Sequence, residues 1–201
     1  MNIGFLASHG GSNMQAIIDA CKAGRLHATP VVVISNNGDS RALERARVEG
    51  IPSYHLSGTT HPDPESLDQA ILDALVRHKV NVVALAGYMK KLGPKTLAHF
   101  KGRILNIHPA LLPKHGGKGM WGMHVHEAVI AAGETESGVT VHLVDEEYDR
   151  GPILAQVRVP VMPADTPETL AARVLEQEHI VYPATLEKIA TGEIVLAGEG
   201  R

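Results

Sequence analysis

The chain has 201 residues, with 19 Lys and Arg against 22 Asp and Glu, 44% hydrophobic residues, 3% aromatic residues and one cysteine. That length suits a single domain, expected to span residues 1–201, whose core must be built from Val, Ile, Leu and Ala. A net charge of −3 excludes any general electrostatic pull toward nucleic acid or anionic membrane, and the lone Cys21 excludes an intrachain disulfide framework or a thiolate zinc cluster.

Residues 3–7 form a short apolar run that ends in Ser8-His9-Gly10-Gly11-Ser12-Asn13, which predicts a strand feeding a turn-rich loop. No basic segment precedes it, as a signal peptide would require. Met14, Ile17, Ile18 and Cys21 recur at helical spacing, one face of a helix that stops near Gly24. Residues 31–34 read as a second buried strand, Ser40 as the N-cap of a helix closing at Gly50, and residues 53–56 as a third strand. From Pro64 onward, Leu67, Ile71, Ala74, Leu75 and His78 share one helical face. Residues 82–86 are continuously apolar, as a central parallel strand buried on both faces should be. This βαβαβαβ order predicts an α/β fold with a doubly wound, mostly parallel sheet.

The second half is less regular. Residues 103–107 predict a strand, followed by a long loop over residues 109–123 that contains Gly116, Gly117, Gly119 and Gly122, and then a helix over residues 127–132. Residues 139–143 and 154–161 alternate, so each reads as a strand with one solvated face. A helix from residue 167 to about 190 closes the domain. No apolar run approaches the roughly 20 residues that cross a bilayer, and no repeat or linker splits the chain. A soluble protein of the reducing cytoplasm, with Cys21 a small buried hydrophobe, is expected.

Three places could carry chemistry. The loop Gly10-Gly11-Ser12-Asn13 opens a helix, where glycines let the backbone approach an anion and free N–H groups favour a phosphate. It reads equally as an ordinary turn capped by Ser12 or Asn13, and it is neither a P-loop nor a dinucleotide fingerprint. In Asn106-Ile107-His108-Pro109, residues two apart on a strand share a face, so an amide donor and an imidazole can converge on one group. Acyl transfer needs that pair, a donor for an oxyanion and a group that exchanges a proton near pH 7. In the acidic run that includes Asp145, Glu146, Glu147 and Asp149, the following Arg150-Gly151-Pro152 is turn chemistry, so Asp149 sits on a loop that can aim it into a cleft, although such a run is most commonly a solvated acidic turn. A carboxylate beside His108 would raise the imidazole pKa. His124 and His126 lack a second ligand pair, so no metal site is expected.

Longer motifs connect these places: Leu85-Ala86-Gly87-Tyr88-Met89, Leu105-Asn106-Ile107-His108-Pro109-Ala110-Leu111-Leu112-Pro113, Ser137-Gly138-Val139-Thr140-Val141-His142, and Gln177-Glu178-His179 with Tyr182-Pro183. With Gly11-Ser12-Asn13 and Asp149, they make residues 1–196 resemble the phosphoribosylglycinamide formyltransferases, folate-dependent enzymes of purine synthesis. The resemblance implies formyl transfer from 10-formyltetrahydrofolate, a co-substrate and not a tightly bound cofactor, to the amine of glycinamide ribonucleotide. A related folate-dependent enzyme acting on another small amine is the alternative. It implies Asn106, His108 and Asp149 as the catalytic trio, with protonated His108 and Asn106 stabilising a tetrahedral intermediate and Asp149 tuning His108. Gly11, Ser12 and Asn13 are implied to cradle the ribonucleotide phosphate and Glu178 to touch its glycinamide end. Met89, Lys90, Lys91, Leu92, Asn106 and Asp145 are implied to bind the folate, with its pterin near the stretch from Asp145 to Asp149. The length is expected to leave no room for the extra domains of related transfer-RNA and hydrolase enzymes.

Some positions depart from the family pattern. His9 stands in the phosphate loop, Lys90 replaces a planar guanidinium fork with a point charge, and Pro64 stands where a basic folate contact is usual. The loop over residues 114–122 is longer than the common form and reads equally as a lid, with Trp121 as an apolar contact, or as a merely floppy loop.

Overall fold

The computed structural model describes residues 1–147 and 149–197; Tyr148, within the acidic turn, and residues 198–201, the end of the expected domain, lie outside the described residues. The first apolar run forms β1 (Asn2–Leu6), and Met14, Ile17 and Ile18 are buried along α1 (Ser12–Lys22). Next come β2 (Thr29–Ser35), α2 (Arg41–Val48), β3 (Ser53–His55), α3 (Pro64–Arg77) and β4 (Val82–Leu85), in the expected order. Ser40 caps α2 by accepting the Leu43 N–H at 3.3 Å, and Asp63 caps α3 by accepting the Ser66 N–H at 2.9 Å.

A helix absent from the sequence reading follows, α4 (Pro94–His99), and then β5 (Ile104–His108). The cap of α4 is tertiary. Buried Asp68, on α3, accepts the Lys95 and Thr96 N–H groups at 2.7 and 3.1 Å, so the only local sign of the helix is Pro94 at its first position. α5 (Met123–Ala131) starts a turn earlier than expected and takes in His124 and His126. β6 (Glu136–Leu143), β7 (Ile153–Pro160) and α6 (Pro167–Ala190) complete the chain.

The sheet order is β3-β2-β1-β4-β5-β6-β7. The strands β1 to β5 run parallel, and β6 and β7 add antiparallel to the β5 side. The order reverses between β1 and β4, and in open α/β sheets ligands bind at the carboxyl ends of strands flanking such a point. Alternate residues feed two cores. Ile3, Phe5, Val82 and Ala84 pack with α1 and α6 on one face, while Leu6, Val83 and Leu85 pack with α3 on the other.

One strand expectation needs correction. β6 is buried on both faces, because the chain after β5 covers the side that was expected to be solvated. Thr140 Oγ1 donates to the Ala110 carbonyl at 2.6 Å and accepts the Leu112 N–H at 3.1 Å, which holds that cover down. β7, the sheet's edge, keeps the expected solvated face.

Candidate active site

Asn106 and His108 project from β5 toward one face, and Asp149 reaches them from the turn between β6 and β7, held at φ 56. His108 Nδ1 lies 3.7 Å from Asp149 Oδ2, while its Nε2–H donates to the His115 carbonyl at 2.7 Å. The three residues expected to act together therefore meet. A fourth joins them: His142, which pairs with Asn106 across β5 and β6, places Nε2 3.2 Å from Asn106 Nδ2 and 3.5 Å from Asp149 Oδ1. Its Nδ1–H donates to the Leu143 carbonyl at 2.9 Å, so the neutral ring offers its Nε2 lone pair to the Asn106 amide. Alternation along β6 puts His142 on the same face as Thr140, but only the antiparallel register brings that face to Asn106.

The expectation that His108 lies above its ordinary pKa is corrected, although Asp149 does pull it upward. Burial pulls the imidazole below its ordinary value and outweighs the upward pull of the Asp149 carboxylate and the His115 carbonyl. Near pH 7, His108 is a neutral base carrying its proton on Nε2 and a lone pair on Nδ1. Burial pushes the Asp149 carboxyl up, but His142, the Gly117 N–H and the charge of His108 together leave it below its ordinary value. Burial also lowers His126 and His179.

Those three histidines set a pH dependence of stability. Their unfolded-state value is about 6.5 and their folded values lie lower, so the unfolded chain binds the protons more tightly. Their contribution is present in full above that value and is lost as the pH falls below it. The urea midpoint should therefore drop between pH 7.5 and pH 5.5, and His126→Gln should flatten the drop. A midpoint independent of pH over that window would contradict it.

The loop after β1 is built around Gly11, the N-cap of α1, at φ 68. A Cβ there would be strained and would sit 2.9 Å from Ala42 Cβ, so only glycine lets α1 come up against α2. Ser12 and Asn13 lie inside the first turn and do not cap it, so the N–H groups of residues 12–14 point outward without intrahelical acceptors. α2 pins the loop from behind: the Ala42 N–H donates to the His9 carbonyl at 3.0 Å and Arg45 Nε to the Gly10 carbonyl at 2.9 Å. Asn13 Nδ2 donates to Glu178 Oε2 of α6 at 2.6 Å, which brings Gly11, Ser12, Asn13 and Glu178 into one cluster. Burial pushes the Glu178 carboxyl up, and the Asn13 bond only partly offsets it. Asn13 Oδ1 is buried with no partner among the described residues.

Ser8 ties this loop to the next one. Its hydroxyl donates to Asn36 Oδ1 at 2.6 Å and accepts the Met89 N–H at 2.7 Å. Beyond it, Lys90, Lys91 and Leu92 face Asn106, Asp145 and Asp149 across a narrow cleft of about 90 Å³. Met89 is not in that lining, and Leu92 is buried in the core beside it. Asp145 accepts the Glu147 N–H at 2.8 Å, closing its own turn. Next to the cleft, and sharing Tyr88, Lys90 and Lys91 with it, lies a larger cavity of about 900 Å³ bordered by Pro64 and Lys95. Sequence reasoning missed this cavity because its far wall is α4. Lys95 faces Glu65 at 3.0 Å.

The histidines of α5 diverge. Exposed His124 pairs with Glu127 at 3.3 Å and meets Trp121 edge-on at 5.0 Å, whereas His126 is buried. Trp121 itself is 54% exposed. Among the described residues, no helix is long and apolar enough to cross a membrane.

A doubly wound sheet with an uncapped helix N-terminus after β1 and an Asn, His and Asp constellation at β5 suits a group-transfer enzyme, and residues 1–186 match the formyl transferase family, to which the chain belongs. Phosphoribosylglycinamide formyltransferase of Escherichia coli K12 is 41% identical over 194 residues, covering 96% of this chain and 89% of that protein. The chloroplastic enzyme of the same name from Vigna unguiculata is 44% identical and covers 96% and 62% of the two chains. The crystal structure of glycinamide ribonucleotide transformylase 1 from Symbiobacterium toebii superimposes with a TM-score of 0.91 at 39% identity, covering 98% of this chain and 91% of that one.

Proposed function

We propose that this chain transfers the formyl group of 10-formyltetrahydrofolate to the primary amine of glycinamide ribonucleotide, a step of purine biosynthesis, in the reducing cytoplasm that its free Cys21 thiol suits. The observation that carries the reading is the meeting of Asn106, His108 and Asp149 beside the Lys90–Leu92 cleft, at the same sheet edge as the helix N-terminus of Gly11, Ser12 and Asn13. Phosphate sits on the first-turn N–H groups and the Ser12 hydroxyl, where the helix dipole favours its charge. Glu178 and Asn13 receive the glycinamide end. The pterin enters the narrow cleft. The anionic tail of the folate lies in the wider cavity, where Lys90 and Lys95 stand in for the basic contact that Pro64 cannot make.

The chemistry follows from the two ring nitrogens of His108. The amine attacks the formyl carbon, a C–N bond forms, and the carbonyl π pair moves onto oxygen. One Asn106 Nδ2–H is spent on His142, and the other donates to that oxyanion. The ammonium proton passes to His108 Nδ1, and Asp149 stabilises the resulting imidazolium. The oxyanion then re-forms the carbonyl, the bond to the folate N10 breaks, and N10 takes the proton from His108. His108 therefore begins the cycle as a neutral base, in keeping with its depressed pKa.

The test is a spectroscopic assay of folate deformylation with glycinamide ribonucleotide and a panel of other small primary amines. Turnover should require the ribonucleotide. Preference for another amine would transfer the site to a related folate-dependent reaction. In the same assay Ser12→Asp should raise KM for the ribonucleotide on the order of tenfold, a cost of about 1.4 kcal/mol, and leave the folate KM unchanged. Equal weakening of both substrates would make the loop a purely structural element.

A further inference from the structure

The loop between β5 and α5 touches both members of the proton-handling pair through its backbone. The His115 carbonyl accepts the His108 Nε2–H at 2.7 Å, and the Gly117 N–H donates to Asp149 Oδ2 at 2.9 Å. His115 adopts φ 53, a left-handed conformation that a non-glycine residue keeps only where surrounding contacts over-determine it, and Gly117 supplies the following φ of 94 without strain. A Cβ on Gly116, between them, would push against the Leu112 Cδ2 methyl and come into ordinary contact with Asp149. The segment is anchored from outside the site. Lys114 Nζ lies 3.2 and 3.1 Å from the two carboxylate oxygens of Glu134, and His115 Nε2 lies 3.3 Å from Glu134 Oε1. Glu134 stands between α5 and β6, and the hydrogen bonds from Lys114 and His115 hold its carboxyl below the ordinary range.

We propose that Glu134 is a positioning residue: by holding Lys114 and His115 it sets the His115 carbonyl and the Gly117 N–H against His108 and Asp149, and so selects the His108 nitrogen that exchanges protons with substrate. The proposal rests on the roles given above to His108 and Asp149. A neutral imidazole has one N–H. Asp149, 3.7 Å from Nδ1, pulls the proton onto that nitrogen, which would remove the lone pair that the reaction needs. Both loop contacts oppose this pull. The His115 carbonyl draws the proton to Nε2, and the Gly117 N–H occupies the same Asp149 oxygen that faces Nδ1. The other titratable groups around His108 are His142 on β6, the His115 side chain and His126 on α5; those around Glu134 are Lys114 and His115.

The experiment compares Glu134→Ala and Glu134→Gln in the full chain by steady-state kinetics, thermal unfolding and nitrogen-15 NMR of the His108 ring. Glu134→Ala should lower kcat on the order of tenfold, the scale of a small misplacement of a reacting group, with both KM values and Tm little changed. Its His108 signals should shift toward the form protonated at Nδ1. Glu134→Gln keeps a carbonyl acceptor for Lys114 and His115 and should recover most of the rate and the original tautomer. In a His108→Ala background, Glu134→Ala should cost nothing further. An unchanged tautomer in Glu134→Ala, a loss confined to KM, or a full additional loss in the His108→Ala background would overturn the proposal. A His108→Ala enzyme with undiminished rate would instead overturn the role of His108 itself. A crippled His108→Ala beside a silent Glu134→Ala would overturn only the role of Glu134.

Discussion

His108→Ala is expected to lower kcat by about 10² to 10⁴, the usual worth of a positioned acid or base, or roughly 2.7 to 5.4 kcal/mol of barrier. Both KM values should stay near wild type, because the ribonucleotide is held at the helix N-terminus and the folate in the cleft and cavity. Asp149→Asn should act through the same imidazole. Removing the carboxylate takes away an influence that raises the His108 pKa, so the acid limb of the kcat profile, already expected below about 6.5, should move further down. The double variant should be little worse than His108→Ala alone, since groups that work as a unit are strongly non-additive. The measurements are kcat against pH for the three variants and the His108 titration by NMR. Fully additive losses, or a titration that Asp149→Asn leaves in place, would show that the carboxylate works independently of the imidazole.

Asn106→Ala is expected to cost about 10² to 10³ in kcat, roughly 2.7 to 4 kcal/mol, the range found for removal of one oxyanion donor. The loss should be absent from KM, because the oxyanion exists only after attack. A buried partner makes this donor effective: His142 fixes the amide, so it need not reorient during the reaction. Single-turnover rates should fall by the same factor as kcat. A change confined to KM would make Asn106 a contact to the ground state. Asn106→Ala also leaves His142 Nε2 without its nearer partner and closer in role to Asp149, so His142 variants should have smaller effects in that background than in the wild type.

The halves of the fold differ in how legible they are. β1, β2 and β4 could be read because their apolar runs are buried on both faces, and the helices between them because each carries an apolar stripe, with local stops as at Gly24 and Gly50. α4 could not, because its cap is supplied by Asp68, 27 residues away. The trio Asn106, His108 and Asp149 was legible because side-chain chemistry marks it. The protonation of His108 was not, since the depth of burial around a ring and the carbonyl of His115 leave no mark on residue identity. His142 stood in a legible strand, yet its role depends on a register that links residues 36 positions apart. The Ser12 and Asn13 cap failed because Gly11 takes the left-handed turn that a capping side chain would otherwise accompany.

β6 and β7 form a hairpin at the edge of the sheet, and the turn between them carries Asp149. Local strand pairing makes such a hairpin quick to form, whereas docking it on β5 must first close a long loop. An edge hairpin also opens at lower cost than the parallel centre. When it undocks, the N-terminus of α1 and the strand end with Asn106 and His108 can persist, while His142 and Asp149 leave together. On the roles proposed for these residues, molecules in that state should still capture the ribonucleotide but fail to handle its proton. Titrating binding sites will therefore overcount competent enzyme in any preparation that has partly frayed, and only an active-site titration by turnover will count the molecules whose hairpin is seated.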